Sequence, residues 1–326
     1  MKIFAFSLRE YDEQIFFKEI CEEQGLEYGF TSDYPDIENA ELAKGYEGVS
    51  IITNPMTPEL LDRFRELGVK YISTRSIGYD HIDLPYAKKT GIRIAHVTYS
   101  PEGVADYTIM MMLMGCRKII PILHRAKIQD YSLKGKMGRQ LSSCTVGIIG
   151  TGRIGTTVAH FLSGFGCRLL AYDQYPSEAV KVYAEYTDLE TIYRQADIIT
   201  LHVPGSKDNY HMVDRAAFAQ MKEGVMIVNA ARGTLIDTAD MIQALENGKI
   251  GFAALDTIEN EDGLYYLNRE GDILNNHERA ILSSYPNVLL SPHTAFYTGE
   301  AVREMVQNSI QGLLNFEKQE PNPFEV

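Results

Sequence analysis

The sequence predicts an α/β chain of two doubly wound parallel-sheet domains with a cleft between them. Three observations carry this. At 326 residues the chain is long enough for two domains of ordinary size, each burying a core without disulfides or metal. Short β-branched or aromatic runs alternate with longer amphipathic runs along most of the chain. The alternation falls into two blocks, with an almost wholly apolar segment at 104–120 between them.

In the first block, residues 3–6, 49–52, 71–73 and 92–95 read as strands, and residues 11–23, 58–67 and 84–90 carry the wider apolar spacing of helices. Strands alternating with helices make a parallel unit. At Ser100-Pro101 a helix start is expected, because a serine hydroxyl can cap free N–H groups and proline fits the first helical turn. Residues 104–120 follow, rich in methionine and apolar almost all round, as befits a helix buried between domains or subunits. The second block has strands at 146–149, 169–172, 198–202, 226–229, 253–256 and 288–290, nearly continuous in apolar character, as in a sheet covered on both faces. A last helix at 300–316 comes after that sheet is complete and is expected to pack back on the first domain. The expected boundaries are therefore 1–100 plus 299–326 for one domain and 101–298 for the other.

Apolar residues make up 45% and charged residues 23%, the balance of a folded, soluble protein rather than a disordered or fibrous one. With 44 acidic against 31 basic residues the net charge is -13, which repels nucleic-acid backbones and anionic membrane surfaces. The apolar N-terminal run breaks at Arg9 and Glu10, too early for a secretory segment, and no apolar stretch reaches the length of a membrane span. A cytoplasmic location is expected. Cys21, Cys116, Cys144 and Cys167 are scattered, so neither a zinc site nor a C-x-x-C redox pair is expected, and no metal is assigned.

The strand at 146–149 runs into Gly150-Thr151-Gly152-Arg153-Ile154-Gly155, a glycine turn placed between strand and helix. Gly150 permits the tight turn, Gly152 lets the backbone approach a pyrophosphate, and Gly155 allows close helix-to-strand packing, with the anion on the helix N-terminus. The next strand ends at Asp173, eighteen residues beyond Gly155, where a carboxylate can accept from both ribose hydroxyls. This pattern makes the second domain Rossmann-like. Asp173 would repel a 2′-phosphate, and Gln174 and Tyr175 after it offer none of the arginine such a phosphate needs, so NAD is favoured over NADP.

Ligands of doubly wound sheets bind beyond the carboxyl ends of strands, where three polar residues stand out. Arg232 follows the strand ending at Asn229, and a guanidinium fork there could grip a carboxylate. Glu261 lies five residues past Asp256, in the acidic run Glu259-Asn260-Glu261-Asp262. His293 follows the last strand in Ser291-Pro292-His293-Thr294 and can exchange a proton near neutral pH. Singly, each also reads as a surface ion pair, a solvated acid and a loop histidine. Together they supply an anion clamp, a proton donor and a carboxylate to keep that donor charged, which is what reduction of a 2-oxo acid demands.

The motifs Ser73-Thr74-Arg75-Ser76-Ile77-Gly78-Tyr79-Asp80, Tyr99-Ser100-Pro101, Gly150 to Gly155, Leu201-His202-Val203-Pro204, Ala230-Ala231-Arg232-Gly233, Ala254-Leu255-Asp256 and Pro292-His293-Thr294-Ala295-Phe296-Tyr297 occur in the order of the D-isomer-specific 2-hydroxyacid dehydrogenases. The chain resembles that family along nearly its whole length, and within it most resembles the D-lactate dehydrogenase branch, including the vancomycin-resistance type. The resemblance implies two Rossmann-like domains, a substrate domain and an NAD domain, and usually a homodimer built around the NAD domain. It implies that Arg232 binds carboxylate and keto group, that His293 is the acid/base and that Glu261 pairs with it. Backbone amides of Ile77 and Gly78 would share the carboxylate. Cofactor positions would be Arg153, Ile154, Asp173, Val203, Pro204, Asn209, Ala230, Ala231 and Asp256 beside the three glycines.

Pocket size is left open by these residues. Tyr99 and Phe296 resemble pocket residues of the lactate branch and favour pyruvate, whereas Ile52 stands where that branch can carry a tyrosine and leaves more room. D-lactate dehydrogenase activity on pyruvate is the primary expectation. Bulkier 2-oxo acids such as 2-oxoisocaproate or phenylpyruvate are the alternative within the family, and a non-catalytic NAD-sensing corepressor-like protein is the alternative outside it.

Overall fold

Short strands rich in β-branched residues form two separate parallel sheets in the computed structural model, which describes residues 1–261 and 263–326. Asp262, the last member of the acidic run, lies outside the described residues. The chain divides into two units, Met1–Ser100 with Tyr297–Val326, and Pro101–Phe296.

The first unit contains β1 (Lys2–Ala5), α1 (Gln14–Gln24), β2 (Glu27–Phe30), β3 (Gly48–Ile51), α2 (Pro58–Glu66), β4 (Tyr71–Thr74), α3 (Leu84–Thr90) and β5 (Arg93–Ala95). The strand order is β2-β1-β3-β4-β5, every pair parallel. Helices start where side chains satisfy free N–H groups: Thr57 accepts from Leu60 N–H ahead of α2, and Asp83 accepts from Tyr86 N–H ahead of α3. β2 is a fifth strand beyond the four expected. Its sequence Glu-Tyr-Gly-Phe is half-exposed along an edge, so it lacks the apolar run that marks a central strand. The C-terminal helix Gly299–Glu317 buries Val306, Ile310, Leu313 and Leu314 against Ile3, Ala5, Phe17 and Ile20. Tyr297 and Thr298 go with this helix, two residues ahead of the expected return at 299. Thr298 caps it by accepting from Ala301 N–H, and the Tyr297 hydroxyl donates to Asp12.

The wholly buried Arg75, just past β4, organises the polar interior of this unit. Its Nε donates to Glu13 Oε1 at 3.0 Å, Nη1 donates to Ser50 Oγ at 3.0 Å, and Nη2 donates to the carbonyls of Phe6 and Ser7. Such full satisfaction is what lets a buried charge persist.

The second unit begins with α4 (Glu102–Cys116) and α5 (Ile119–Lys127), then β6 (Thr145–Ile149), α6 (Arg153–Ser163), β7 (Arg168–Tyr172), β8 (Glu185–Tyr186), α7 (Leu189–Gln195), β9 (Ile198–Leu201), α8 (Arg215–Gln220), β10 (Val225–Asn229), α9 (Thr238–Glu246), β11 (Ile250–Leu255), α10 (His277–Ser284) and β12 (Val288–Leu290). The continuous helix expected at 104–120 is two helices, because Lys118 takes a left-handed backbone with φ 50°. Pro101 occupies the cap position rather than the first turn. The all-parallel strand order is β12-β11-β10-β9-β6-β7-β8, with the two-residue edge strand β8 added to the six expected. Connections run outward in both directions from the junction of β6 and β9. That junction is the topological switch point at which open α/β sheets bind ligands. Cys21, Cys116 and Cys144 are buried and Cys167 is half-buried, all four as free thiols. Among the described residues no helix is long and apolar enough to cross a membrane.

Candidate active site

At the switch point, between β6 and α6, the chain turns at Gly150, whose φ of +97° is a left-handed value that favours glycine. A Cβ on Gly155 would lie 2.0 Å from the Gly150 carbonyl oxygen, so helix and turn touch only because Gly155 carries no side chain. A Cβ on Gly152 would meet nothing within 4 Å. The turn is thus closed behind and open in front. No side chain caps the first N–H groups of α6, so a phosphate could take those donors.

Asp173 follows β7. Its Oδ2 accepts from Thr151 N–H and from Thr151 Oγ1 at 3.1 Å, and its Oδ1 accepts from Tyr175 N–H at 2.8 Å. The carboxylate is thereby held beside the glycine turn. Arg153 and Ile154 open α6, with Arg153 exposed. Val203 and Pro204 follow β9, and Asn209 Nδ2 donates to the Pro204 carbonyl at 3.0 Å to close the next turn. Burial lowers the His202 pKa to about 4, so this imidazole is neutral at physiological pH. An anion at the turn would meet backbone dipoles and Arg153. These groups suit a dinucleotide pyrophosphate and ribose.

Beyond β10, Asn229 braces the turn that carries Arg232. Its Oδ1 accepts from Ala231 N–H at 3.0 Å and its Nδ2 donates to the Arg232 carbonyl at 2.8 Å, bracketing Ala230 and Ala231. The half-buried Arg232 guanidinium donates through Nη1 to the Ala231 carbonyl at 2.8 Å.

His293 follows β12 and has a φ of +53°, rare for a residue with a Cβ and sustained only where the surroundings over-determine it. Its N–H donates to the carbonyls of Asp256, 2.8 Å away, and Ser291, 3.0 Å away, and its own carbonyl accepts from the Tyr266 hydroxyl at 3.0 Å. Asp256 is wholly buried after β11 and fixes the rest of this turn. Its Oδ1 accepts from Ser291 Oγ at 2.6 Å and Thr294 N–H at 2.9 Å, and its Oδ2 accepts from Ala295 N–H at 2.9 Å.

His293 Nδ1 lies 2.6 Å from Glu261 Oε1, and Glu261 Oε2 accepts from Ile258 N–H at 3.0 Å. An ionised carboxylate only accepts, so Nδ1 carries the proton of this bond. Arg232, Glu261 and His293 therefore all belong to the second unit, following β10, β11 and β12 in turn, with the last two in direct contact. Tyr266 joins them without any mark in the sequence. Its ring is 6.0 Å from that of His293 and 6.3 Å from that of Phe296, while Phe296 is 6.4 Å from His293. It lies in a loop without periodicity, and only the tertiary fold brings it there.

The other positions expected to meet substrate lie in the first unit. After β4, the Ile77 carbonyl contacts His96 Nδ1 at 3.0 Å and the Gly78 carbonyl accepts from Ser76 Oγ at 2.7 Å. Ile52 follows β3 and is buried, and Tyr99 follows β5 and is half-buried. Among the described residues no group of three or more His, Cys, Asp or Glu side chains is arranged to hold a metal.

A glycine turn at the sheet's switch point, with an acid–base pair at the ends of neighbouring strands, is the arrangement of a nucleotide-dependent oxidoreductase. Comparison with known proteins narrows this. Residues 109–295 match the model of the D-isomer specific 2-hydroxyacid dehydrogenase, NAD binding domain. The chain is 42% identical over 320 residues to an aromatic 2-oxoacid reductase of Clostridium sporogenes, covering 97% of this chain and 96% of the relative. It is 39% identical over 329 residues to a D-lactate dehydrogenase of Escherichia coli, covering 100% of both. A D-lactate dehydrogenase structure from Treponema pallidum matches with a TM-score of 0.92 at 32% identity, covering 100% of this chain and 99% of that one. The chain belongs to the D-isomer specific 2-hydroxyacid dehydrogenases, and its cofactor is NAD.

Proposed function

We propose that the chain reduces pyruvate to D-lactate with NADH, in the cytoplasm and as a homodimer. The observation that carries the chemistry is the 2.6 Å contact between His293 Nδ1 and Glu261 Oε1. With Nδ1 committed to a carboxylate, the ring is oriented and the proton that moves is the one on Nε2. His293 delivers it to the oxygen of the substrate carbonyl. Glu261 stabilises the imidazolium before that delivery and keeps the ring aligned. Arg232 grips the substrate carboxylate and polarises the carbonyl, so its effect grows as charge develops on oxygen. The amides of Ile77 and Gly78 add donors to the carboxylate, a turn of exposed N–H groups being suited to an anion.

The Gly150 to Gly155 turn would hold the cofactor, with Arg153, Ile154, Asp173, Val203, Pro204, Asn209, Ala230 and Ala231 around it. NADH bound there supplies the hydride for the carbonyl carbon. Asp256, whose oxygens hold the Ser291, Thr294 and Ala295 donors, serves the site by fixing the turn of His293.

A second reading of the substrate is an aromatic 2-oxo acid such as phenylpyruvate. The rings of Tyr266 and Phe296 near His293 favour it, because aromatic edges and faces attract another ring, and Ile52 takes less room than a tyrosine. The homodimer is supported by Leu123, Ile128, Tyr131, Leu133 and Met137, all more than half exposed within one stretch of the second unit, since monomers rarely display so much apolar surface.

The test is a panel of 2-oxo acids assayed with NADH, with the chirality of each product determined. D-lactate from pyruvate at a higher kcat/KM than any aromatic acid supports the first reading. A preference for phenylpyruvate supports the second, and no NADH oxidation with any 2-oxo acid overturns both.

A further inference from the structure

We infer that His211 is a positioning residue for this reaction, acting through Glu259 to lock the loop of Glu261 onto the loop of Arg232. The inference rests on the roles proposed above for Glu261 and Arg232. His211 does not touch the catalytic pair. It lies in the connection between β9 and α8 and has a left-handed backbone, φ 50°.

Three sets of contacts converge on it. Its N–H donates to the Thr234 carbonyl at 2.9 Å, two residues past Arg232. Its ring Nε2 lies 2.7 Å from Glu259 Oε1, and its Nδ1 lies 3.3 Å from Asp237 Oδ2. Tyr210 stacks on the ring at 3.8 Å between centroids and 18° between planes, fixing the imidazole plane.

Glu259 completes the clamp. Its Oε2 accepts from Thr238 N–H at 3.1 Å and Thr238 Oγ1 at 2.7 Å, so one carboxylate joins the histidine to the start of α9. The backbone on either side of Glu259 is the backbone that holds the Glu261 carboxylate: Ile258 N–H supports Glu261 Oε2. Motion of the Glu259 side chain is thus transmitted over two residues to the carboxylate that orients His293.

The charged groups facing His211 are Glu259, Asp237 and, from α10, Glu278. Burial, then Glu259 and Asp237, push the Glu278 carboxyl upward, and His211 opposes this. Three acids around one imidazole repel one another wherever the histidine is removed. The loop of Glu261 then moves away from that of Arg232. Misplacement by about 1 Å away from the reacting atoms can cost on the order of 10²-fold in rate.

The experiment compares the full-length wild type with His211→Ala, His211→Gln and Glu259→Gln. It measures kcat and KM for the best 2-oxo acid across pH, NADH affinity by fluorescence titration, and thermal melting by circular dichroism. For His211→Ala the expected result is a loss of about tenfold or more in kcat with a rise of a few fold in KM, as both loops lose alignment. NADH affinity stays within about twofold, because the Asn209 bond to the Pro204 carbonyl that closes the cofactor side of this loop does not involve the His211 ring. His211→Gln, which retains a donor for Glu259, recovers part of the lost kcat. Glu259→Gln shows the same split between kcat and KM.

If the wild type is active and His211→Ala keeps both constants and the pH profile within twofold, the positioning role is wrong while the proposed function stands. The positioning role is equally overturned if kcat, NADH affinity and melting temperature fall together, which marks general destabilisation. If the wild type reduces no 2-oxo acid, the proposed function fails and takes the role of His211 with it.

Discussion

Gly233 lies against the Ile258 peptide so closely that a Cβ there would be 2.0 Å from the Ile258 carbonyl carbon and 2.1 Å from its oxygen. No flexible side chain can yield, because both partners are backbone. Gly233→Ala therefore forces the loop after β10 away from the loop after β11. Steady-state kinetics should show a loss of about 10²-fold or more in kcat/KM, with NADH binding retained. Activity within a few fold of the wild type would mean that the two loops tolerate separation.

His293→Ala should abolish reduction, since positioned acid–base groups contribute about 10²- to 10⁴-fold, while fluorescence titration still reports NADH binding. Arg232→Ala should lower kcat as well as raise KM for the 2-oxo acid, because the guanidinium acts on the developing charge as well as on the carboxylate. Near-normal turnover in either variant would remove that residue from the mechanism.

Asp173 bears on cofactor choice rather than rate. Asp173→Ala should weaken NADH binding and narrow its advantage over NADPH, because the carboxylate that repels a 2′-phosphate is gone. The ratio of kcat/KM values for the two cofactors decides the matter, and an unchanged ratio would refute the ribose role.

Acid stability turns on Glu13. Burial pushes its carboxyl upward, but Arg75 and Arg9 beside it outweigh that, and the folded-state pKa ends below the ordinary value. A depressed folded pKa means stabilisation present above the unfolded value of about 4.3 and lost as pH falls through the folded one. Glu13→Gln leaves Arg75 buried without its counter-ion, which should cost about 3–5 kcal/mol at pH 7. Denaturant melts should show that the variant loses less stability than the wild type between pH 7 and the acid range. Parallel losses in the two proteins would contradict the assignment.

Replacing Leu133 and Met137, both 86% exposed, by aspartate should yield a monomer in light scattering if this stretch joins two copies. An unaltered dimer mass would place the interface elsewhere.

Much of this arrangement was readable in the sequence, and the exceptions have physical causes. Buried central strands such as β6 and β10 are continuous apolar runs, and a turn that needs glycines declares itself in the residues. β2 and β8 are not marked in the sequence, because an edge strand needs neither continuous burial nor an apolar stretch. The break at Lys118 is hard to read because apolar residues resume at Ile119, and two basic residues such as Arg117 and Lys118 do not by themselves end a helix. Arg232, Glu261 and His293 were legible because each follows a strand end. Tyr266 and His211 were not, since both lie in loops whose positions depend on tertiary contacts, and neither carries a pattern of its own.

The strand order also divides labour across the second sheet. Most groups suited to the cofactor follow β6, β7 and β9, with Ala230 and Ala231 after β10, whereas the three side chains proposed for catalysis follow β10, β11 and β12. Substitutions on the two sides share few partners, so their free energies should sum. A change of cofactor preference at Asp173 and a change of acid preference around Phe296 could then be combined in one chain, each keeping the effect it has alone.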